Sequence, residues 1–329
     1  MTASLLISTT MADVTHSSAA RYAGDIYSTD PYLSDVYHRA AMFLKDAPGG
    51  SWISHHTAAA LWGLWVPGSA AVHVSMPPRA SRAPRAGVKP HRGSRDAWVI
   101  RMRELHVSHP AQVVMELSKV LPLIDLVPLL DSVLHRRYSD LDGLATHARS
   151  RNHRVRLFWE AMSLARFGSE SAMESKTRLL ITWSGFPEPT LQIPVSAPTS
   201  ILSRPEMDVL RRLTTPASTG VGWNKTVTFR IDLGYEDMML GVEYDGEHHD
   251  NPEQMQFDEI RRNALARLGW TIEVAKTRDV TSHPEELLNR LTQSYNALAR
   301  EPVILRPDWR SHFVDWQRPD FARSSTLQG

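Results

Sequence analysis

Between Thr226 and Tyr235 the apolar residues Val227, Phe229, Ile231, Leu233 and Tyr235 fall on alternate positions. A period of two marks a half-buried strand, with Asp232 on its opposite face. Leu240, Val242 and Tyr244 repeat the pattern and leave Glu243 and Asp245 opposite. The spacer between the two runs, Tyr235–Met239, has hairpin length. With both apolar faces in one core, Asp232, Glu243 and Asp245 converge on the other side of the sheet.

Elsewhere the period changes to that of helices. Asp30–Leu44, Ser54–Leu64, Leu141–Ser150 and Val155–Phe167 read as helices, and Val107–Tyr138 as mostly helical, punctuated by Pro110 and Pro122. Ala71–Ser75 reads as a strand, and the proline-rich basic stretch 77–97 as loop or ribbon. After Arg166–Ser169 the pattern becomes helix Ser171–Trp183, strand Thr190–Val195 and an insertion, 196–222, with a small helix at Pro205–Leu213. The strands Thr226–Gly234 and Leu240–Asp245, helix Gln254–Leu268, strand Trp270–Ala275 and helix Glu285–Leu298 follow. The expected class is α/β (α+β): a mostly helical first region with a small sheet, then a mixed sheet flanked by helices. The implied divisions are a disordered tail over 1–22, a region over 23–167, a second domain over 168–300 and a tail over 301–329.

Composition narrows the function. The chain has 329 residues, 42% hydrophobic and 22% charged, as two globular domains require. No apolar run approaches the roughly 20 residues of a membrane span, and no basic residue precedes Leu5 as a secretory leader would demand. Cysteine is absent, which excludes disulfides and thiolate–zinc sites and is compatible with the cytoplasm. A net charge of +1 excludes a uniformly basic nucleic-acid coat. Positive charge is instead concentrated in Arg79, Arg82, Arg85, Lys89, Arg92, Arg95, Arg101 and Arg103, against the single acid Asp96. Such a stretch can hold phosphate backbones, or it can be a solvated arginine-rich loop. The three hairpin carboxylates repel one another unless a cation neutralises them, and oxygen ligands suit Mg2+ or Mn2+. The same residues also fit a sheet that shows its polar face to water.

Glu174, Asp232, then Glu243, Asp245, Gly246 and His249, followed by Asp258, Arg261, Leu265 and Gly269, resemble the PD-(D/E)XK nuclease superfamily, specifically its branch similar to the very-short-patch-repair endonucleases. The resemblance covers about residues 169–280 and implies a restriction-endonuclease-like fold in the order helix, three strands, helix, strand. It implies a Mg2+-dependent phosphodiester hydrolase acting on DNA, with Asp232 the central metal ligand, Glu243 a second ligand and Glu174 at the site's edge. Ser171 and Glu174 also fit a capping box. Asp245 stands where the superfamily has a lysine, and His249 becomes the candidate proton acceptor, with His248 beside it. An exposed polar residue after a turn is the plainer account of either histidine. Gln254, Asp258, Arg261 and Leu265 form one stripe of the following helix, and Phe257, Ile260, Ala264 and Leu268 the buried one. The first stripe would place Arg261 near the scissile phosphate, whereas Asp258 with Arg261 or Arg262 also makes an ordinary helical ion pair.

Ile53–Leu64, Val72–Ser75 and the arginine-rich run resemble the AbiEi-type antitoxin and transcriptional-regulator family, to about residue 160. That resemblance implies DNA binding and a toxin or other protein partner, although only about 50 residues precede Ser54, too few for the family's full winged helix. Ser54, His55 and His56 read as a helix N-cap followed by surface imidazoles in preference to a catalytic or metal cluster. Two functions therefore stand open: a metal-dependent endonuclease, or a non-catalytic DNA-binding regulator on a nuclease-like scaffold.

Overall fold

The computed structural model describes residues 31–80, 85–151, 153–213, 226–246 and 252–313. The expected N-terminal tail lies outside them. The chain divides into two compact units, Met1–Ala172 and Met173–Gly329. The fold is mixed α/β, with one five-stranded and one four-stranded sheet among the described residues. No helix there is long and apolar enough to cross a membrane.

The N-terminal unit opens with α1 (Pro31–Lys45), β1 (Trp52–Ile53), α2 (His55–Leu61) and β2 (Val72–Met76). The basic stretch then contributes β3 (Val88–Arg92), followed by β4 (Val99–Met102) and β5 (Leu105–Ser108). The sheet order is β3-β2-β1-β5-β4, with β3 parallel to β2 and β1 parallel to β5. Four helices complete the unit: α3 (Pro110–Leu117), α4 (Leu123–His135), α5 (Leu141–Ser150) and α6 (Arg156–Leu164). The long helical pattern from Val107 thus divides. Pro110 stands in the first turn of α3 and Pro122 caps α4, where a missing N–H costs nothing.

The C-terminal unit runs α7 (Ala172–Trp183), β6 (Thr190–Pro198), α8 (Arg204–Leu213), β7 (Thr226–Tyr235), β8 (Leu240–Asp245), α9 (Pro252–Arg267) and β9 (Thr271–Lys276). It ends with α10 (Thr277–Thr281), α11 (Pro284–Leu298) and α12 (Trp309–His312). The sheet order is β6-β7-β8-β9, antiparallel except for β8–β9. Val227, Phe229 and Ile231 pack with Ile193 and Val195 against α8 and α9, through Met207, Leu210, Ile260, Ala264 and Leu265. Leu265 therefore belongs to the core rather than to the polar stripe of its helix.

Two further expectations are corrected. The segment after 301 is not a tail throughout, because Trp309 and Phe313 are buried, the Arg306 amide donates to the Ser184 carbonyl at 2.8 Å, and His312 stacks on Trp183. The strict alternation of β7 also slips. Gln192 takes a left-handed φ of 53° between the Leu191–Leu233 and Ile193–Ile231 pairs. Beyond that point it is Gly234 whose added Cβ would meet Ile193, at 3.1 Å, while Leu233 is buried outside that cluster. Gly241, paired with Gly234, faces the same way, since a Cβ there would meet Ile231 and Ile272 at 2.8 and 2.7 Å.

Candidate functional site

The hairpin carboxylates sit where β7 and β8 stop pairing. Their ladder ends at Leu233–Val242, and beyond it the Tyr244 amide donates to Asp232 Oδ2 at 3.0 Å. A side-chain oxygen thus takes the place of a strand carbonyl, which satisfies a backbone donor and fixes the carboxylate. Glu243, one residue earlier, is only 3% exposed. As an inner strand, β8 has both faces covered, and its first four residues are all buried. The expected polar face open to water is therefore absent at Glu243.

What replaces water is arginine. Arg261 on α9 donates from Nη2 to Glu243 Oε2 at 3.0 Å, and its Nη1 lies 3.0 Å from Oε1. The Nη1 hydrogen bond goes to the Arg230 carbonyl, at 3.2 Å, so Oε1 has a close charge but no hydrogen-bond donor. Burial pushes the Glu243 carboxyl up to about 7; Arg261 pulls it down, and Asp232 pushes it up. Arg262 Nη2 donates to Asp245 Oδ2 at 3.1 Å. Asp245, at the position of the superfamily lysine, is therefore held in an ion pair, and Arg262 reaches across to β8 instead of pairing with Asp258. Asp258 lies 3.5 Å from Arg261. The mutual repulsion that called for a cation is answered here by two guanidinium groups.

Glu174, on the first turn of α7, is buried and accepts from Gln192 Nε2 at 3.2 Å. No three described Asp or Glu side chains bring oxygens within 4.8 Å of one another. Asp232 is close enough to act on Glu243 electrostatically, and neither Asp245 nor Glu174 makes a third oxygen with them at that distance. His248, His249 and the Gln254 side chain lie outside the described residues. Of the basic run, Arg79, Lys89, Arg92 and Arg95 are exposed, and Lys89 and Arg92 belong to the edge strand β3. Arg85 is tied to Asp46 at 2.8 Å over the Phe43 ring, and Arg82 lies outside the described residues.

Two curated relatives emerge from comparison. One is the uncharacterized protein MT2308 of Mycobacterium tuberculosis strain CDC 1551 / Oshkosh, the other the uncharacterized protein Rv2248 of strain ATCC 25618 / H37Rv. Each is 28% identical over 241 residues, covering 72% of this chain and 78% of the relative. No family model matches the chain.

A second polar cluster, in the N-terminal unit, was not legible as such. Ser54 stands at the N-cap of α2, as expected, but its side chain makes no capping bond, and His55 is buried, contrary to the surface imidazole expected. Instead Ser54 Oγ accepts from Ser75 Oγ at 2.8 Å and lies 3.0 Å from His55 Nδ1. His73 and His91 complete the group, and burial, foremost, drives His55, His73 and His91 down to about 2, 3 and 4. The sequence signal for it was weak: a lone histidine in each of two strands is ordinarily a core or edge residue.

Proposed function

We propose that the C-terminal unit is a metal-dependent DNA endonuclease that hydrolyses phosphodiester bonds. The observation that carries this reading is the adjacency of Asp232 and the buried Glu243 at the point where β7 and β8 part, within a unit ordered helix, three strands interrupted by α8, helix, strand. The donor set fits Mg2+ or Mn2+, because both groups offer hard oxygen and Glu243 Oε1 is buried without a hydrogen-bond donor. Asp232, oriented by the Tyr244 amide, and Glu243 would hold the ion. The chemistry it supplies when bound is polarisation of a phosphoryl oxygen and a lowered pKa for attacking water. Arg261 competes for the same carboxylate, and a phosphate is the other natural bidentate partner of its guanidinium. Cleavage then requires Arg261 to exchange Glu243 for the substrate, with His249 as proton acceptor in place of the absent lysine. Arg79, Lys89, Arg92 and Arg95 would contact the DNA backbone, and the setting proposed is cytoplasmic.

Purified protein should relax or linearise supercoiled plasmid with Mg2+ or Mn2+. Asp232→Ala should lower that rate by about 10²–10³-fold, the range for losing one charge-stabilising group. Equal cutting by wild type and variant would end the enzymatic reading.

The pairing of Arg261 and Arg262 with Glu243 and Asp245 favours a second reading, a non-catalytic DNA-binding regulator with a toxin or other protein partner. On that reading the chain binds DNA without cutting it. In a filter-binding salt series, log affinity should fall against log salt with a slope near −0.9 per phosphate contacted. Arg92→Ala should make that slope shallower by about one contact. A flat series would remove the basic stretch from DNA binding.

A further inference from the structure

We propose that His55, His73 and His91 form a binding site for one late first-row divalent metal ion, Zn2+ in particular, in the N-terminal unit. This inference is independent of the endonuclease reading, which concerns oxygen ligands in the other unit. One ring nitrogen from each histidine lies within 4.8 Å of the other two, and no other described trio of His, Asp or Glu meets that distance.

The trio is built by three elements that the fold fixes. His55 is the first residue of α2, and His73 lies on β2. The parallel β2–β3 register sets His91 opposite Ser75, so His91 shares the face of His73 two residues away. His73 Nδ1 and His91 Nε2 are 3.0 Å apart. Nitrogens bound tetrahedrally to zinc at 2.0–2.1 Å are about 3.3 Å from one another, so this pair is already near its liganding distance. Two of the three remaining ring nitrogens have an outer partner of the kind that fixes a liganding imidazole. His73 Nε2 lies 2.9 Å from Ser69 Oγ. His55 Nδ1 lies 3.0 Å from Ser54 Oγ, and Glu116 Oε2 accepts the His55 amide at 3.0 Å. These contacts assign metal binding to His73 Nδ1, His91 Nε2 and His55 Nε2. His55 now stacks on His91, with ring centres 3.6 Å apart and planes 13° from parallel. Metal uptake must swing that ring out of the stack.

Two observations speak for a ligand over plain core packing. His55 holds a left-handed φ of 51°, which for a residue with a Cβ is strain of the kind that collects at binding sites. His56 adds a fourth imidazole, 4.6 Å from His73, whose buried Nδ1 has no partner. Burying that much polar surface without a ligand is costly. An all-nitrogen trio selects Zn2+, Ni2+ or Cu2+ over Mg2+, and three protein ligands leave a coordination position to solvent. The ion would tie the start of α2 to both strands that carry the arginine-rich connection.

Chelator-treated full-length protein titrated with Co2+ should gain ligand-field absorption that saturates at one equivalent and is displaced by Zn2+. His91→Gln, at a half-buried position, should weaken Co2+ binding by about 100-fold or more, beyond the 10–100-fold typical of an outer partner. Asp232→Asn should leave the signal intact, which separates this site from the carboxylates. Absence of saturable uptake, an unchanged titration in folded His91→Gln, or loss of the signal in Asp232→Asn would each overturn the proposal. Should His91→Gln fail to fold by circular dichroism, Ser69→Ala serves in its place: about tenfold weaker binding supports the site, and unchanged binding overturns it.

Discussion

Replacing Arg261 by methionine should lower the unfolding free energy by up to about 1.4 kcal/mol at pH 8, one pH unit above the value near which Glu243 ionises. The loss should be small at pH 5. Glu243 is 3% exposed, and burial has already raised its carboxyl from 4.5 to about 7. The native state thus holds this proton more tightly than the unfolded chain. The contribution of Glu243 to stability is therefore greatest below about 4.5 and is lost as pH rises through 7. Without Arg261 the native value climbs further, and the destabilised window extends above neutrality. Urea unfolding of wild type and Arg261→Met at both pH values measures this directly. Glu243→Gln in the same background should recover most of the loss at pH 8, because an amide can be buried more cheaply than a carboxylate. A loss of equal size at pH 5 and pH 8 would place the effect in packing.

The second large effect is acid unfolding of the N-terminal unit. His147 and His153 are buried, 3.4 Å from Gln112 Oε1 and 3.0 Å from Ser118 Oγ respectively, and burial lowers both to about 4. Their native values lie below the unfolded 6.5, so their contribution is complete above pH 6.5 and disappears as pH falls towards 4. Two protons taken up on unfolding give a slope of about 2.7 kcal/mol per pH unit, or about 7 kcal/mol across the window. That is comparable with the whole stability of a domain. Glu116, raised to about 7, offsets roughly one proton, whereas His55 and His73 add to the same side. Tryptophan fluorescence follows the unit through Trp98, tilted 5.0 Å from His147, and Trp159, which donates to the His153 carbonyl. The urea midpoint should drop steeply between pH 6.5 and 4.5, less steeply in His153→Gln. A midpoint that stays level over that range would refute the argument. Glu243 works in the opposite direction, so acidification should separate the unfolding of the two units.

How far the sequence disclosed this depended on whether a local period controlled the geometry. Val227, Phe229 and Ile231 gave their strand correctly, and α5 begins and ends where its pattern does, because one apolar stripe decides each. Beyond Ile231 the period misled, since Gly234 and Gly241 have no side chain to reveal which face they occupy, and only their close approach shows it. Strands β4 and β5 have four residues each; β4 falls between the stretches the period assigns, and Val107 and Ser108 of β5 open the run read as helical. At the hairpin, the sequence could place Asp232, Glu243 and Arg261 at one site but not foresee that Arg261 and Arg262 would pair with Glu243 and Asp245. Charge neutralisation between elements distant in sequence carries no local signal. The three histidines were hidden for the same reason: their meeting depends on parallel pairing of β2 and β3, which no spacing announces.

The buried Trp309 and Phe313 also bear on how this protein can be taken apart. A version ending near residue 300, where the helical pattern runs out, would remove the edge-to-face Trp309–Phe313 pair and the imidazole lid on Trp183. The freshly uncovered indole and its neighbours would then invite self-association in a fragment that still contains every strand of its sheet. The smallest autonomous C-terminal half must therefore extend through Phe313, and inactivity or precipitation of a shorter one would say nothing about Asp232 and Glu243.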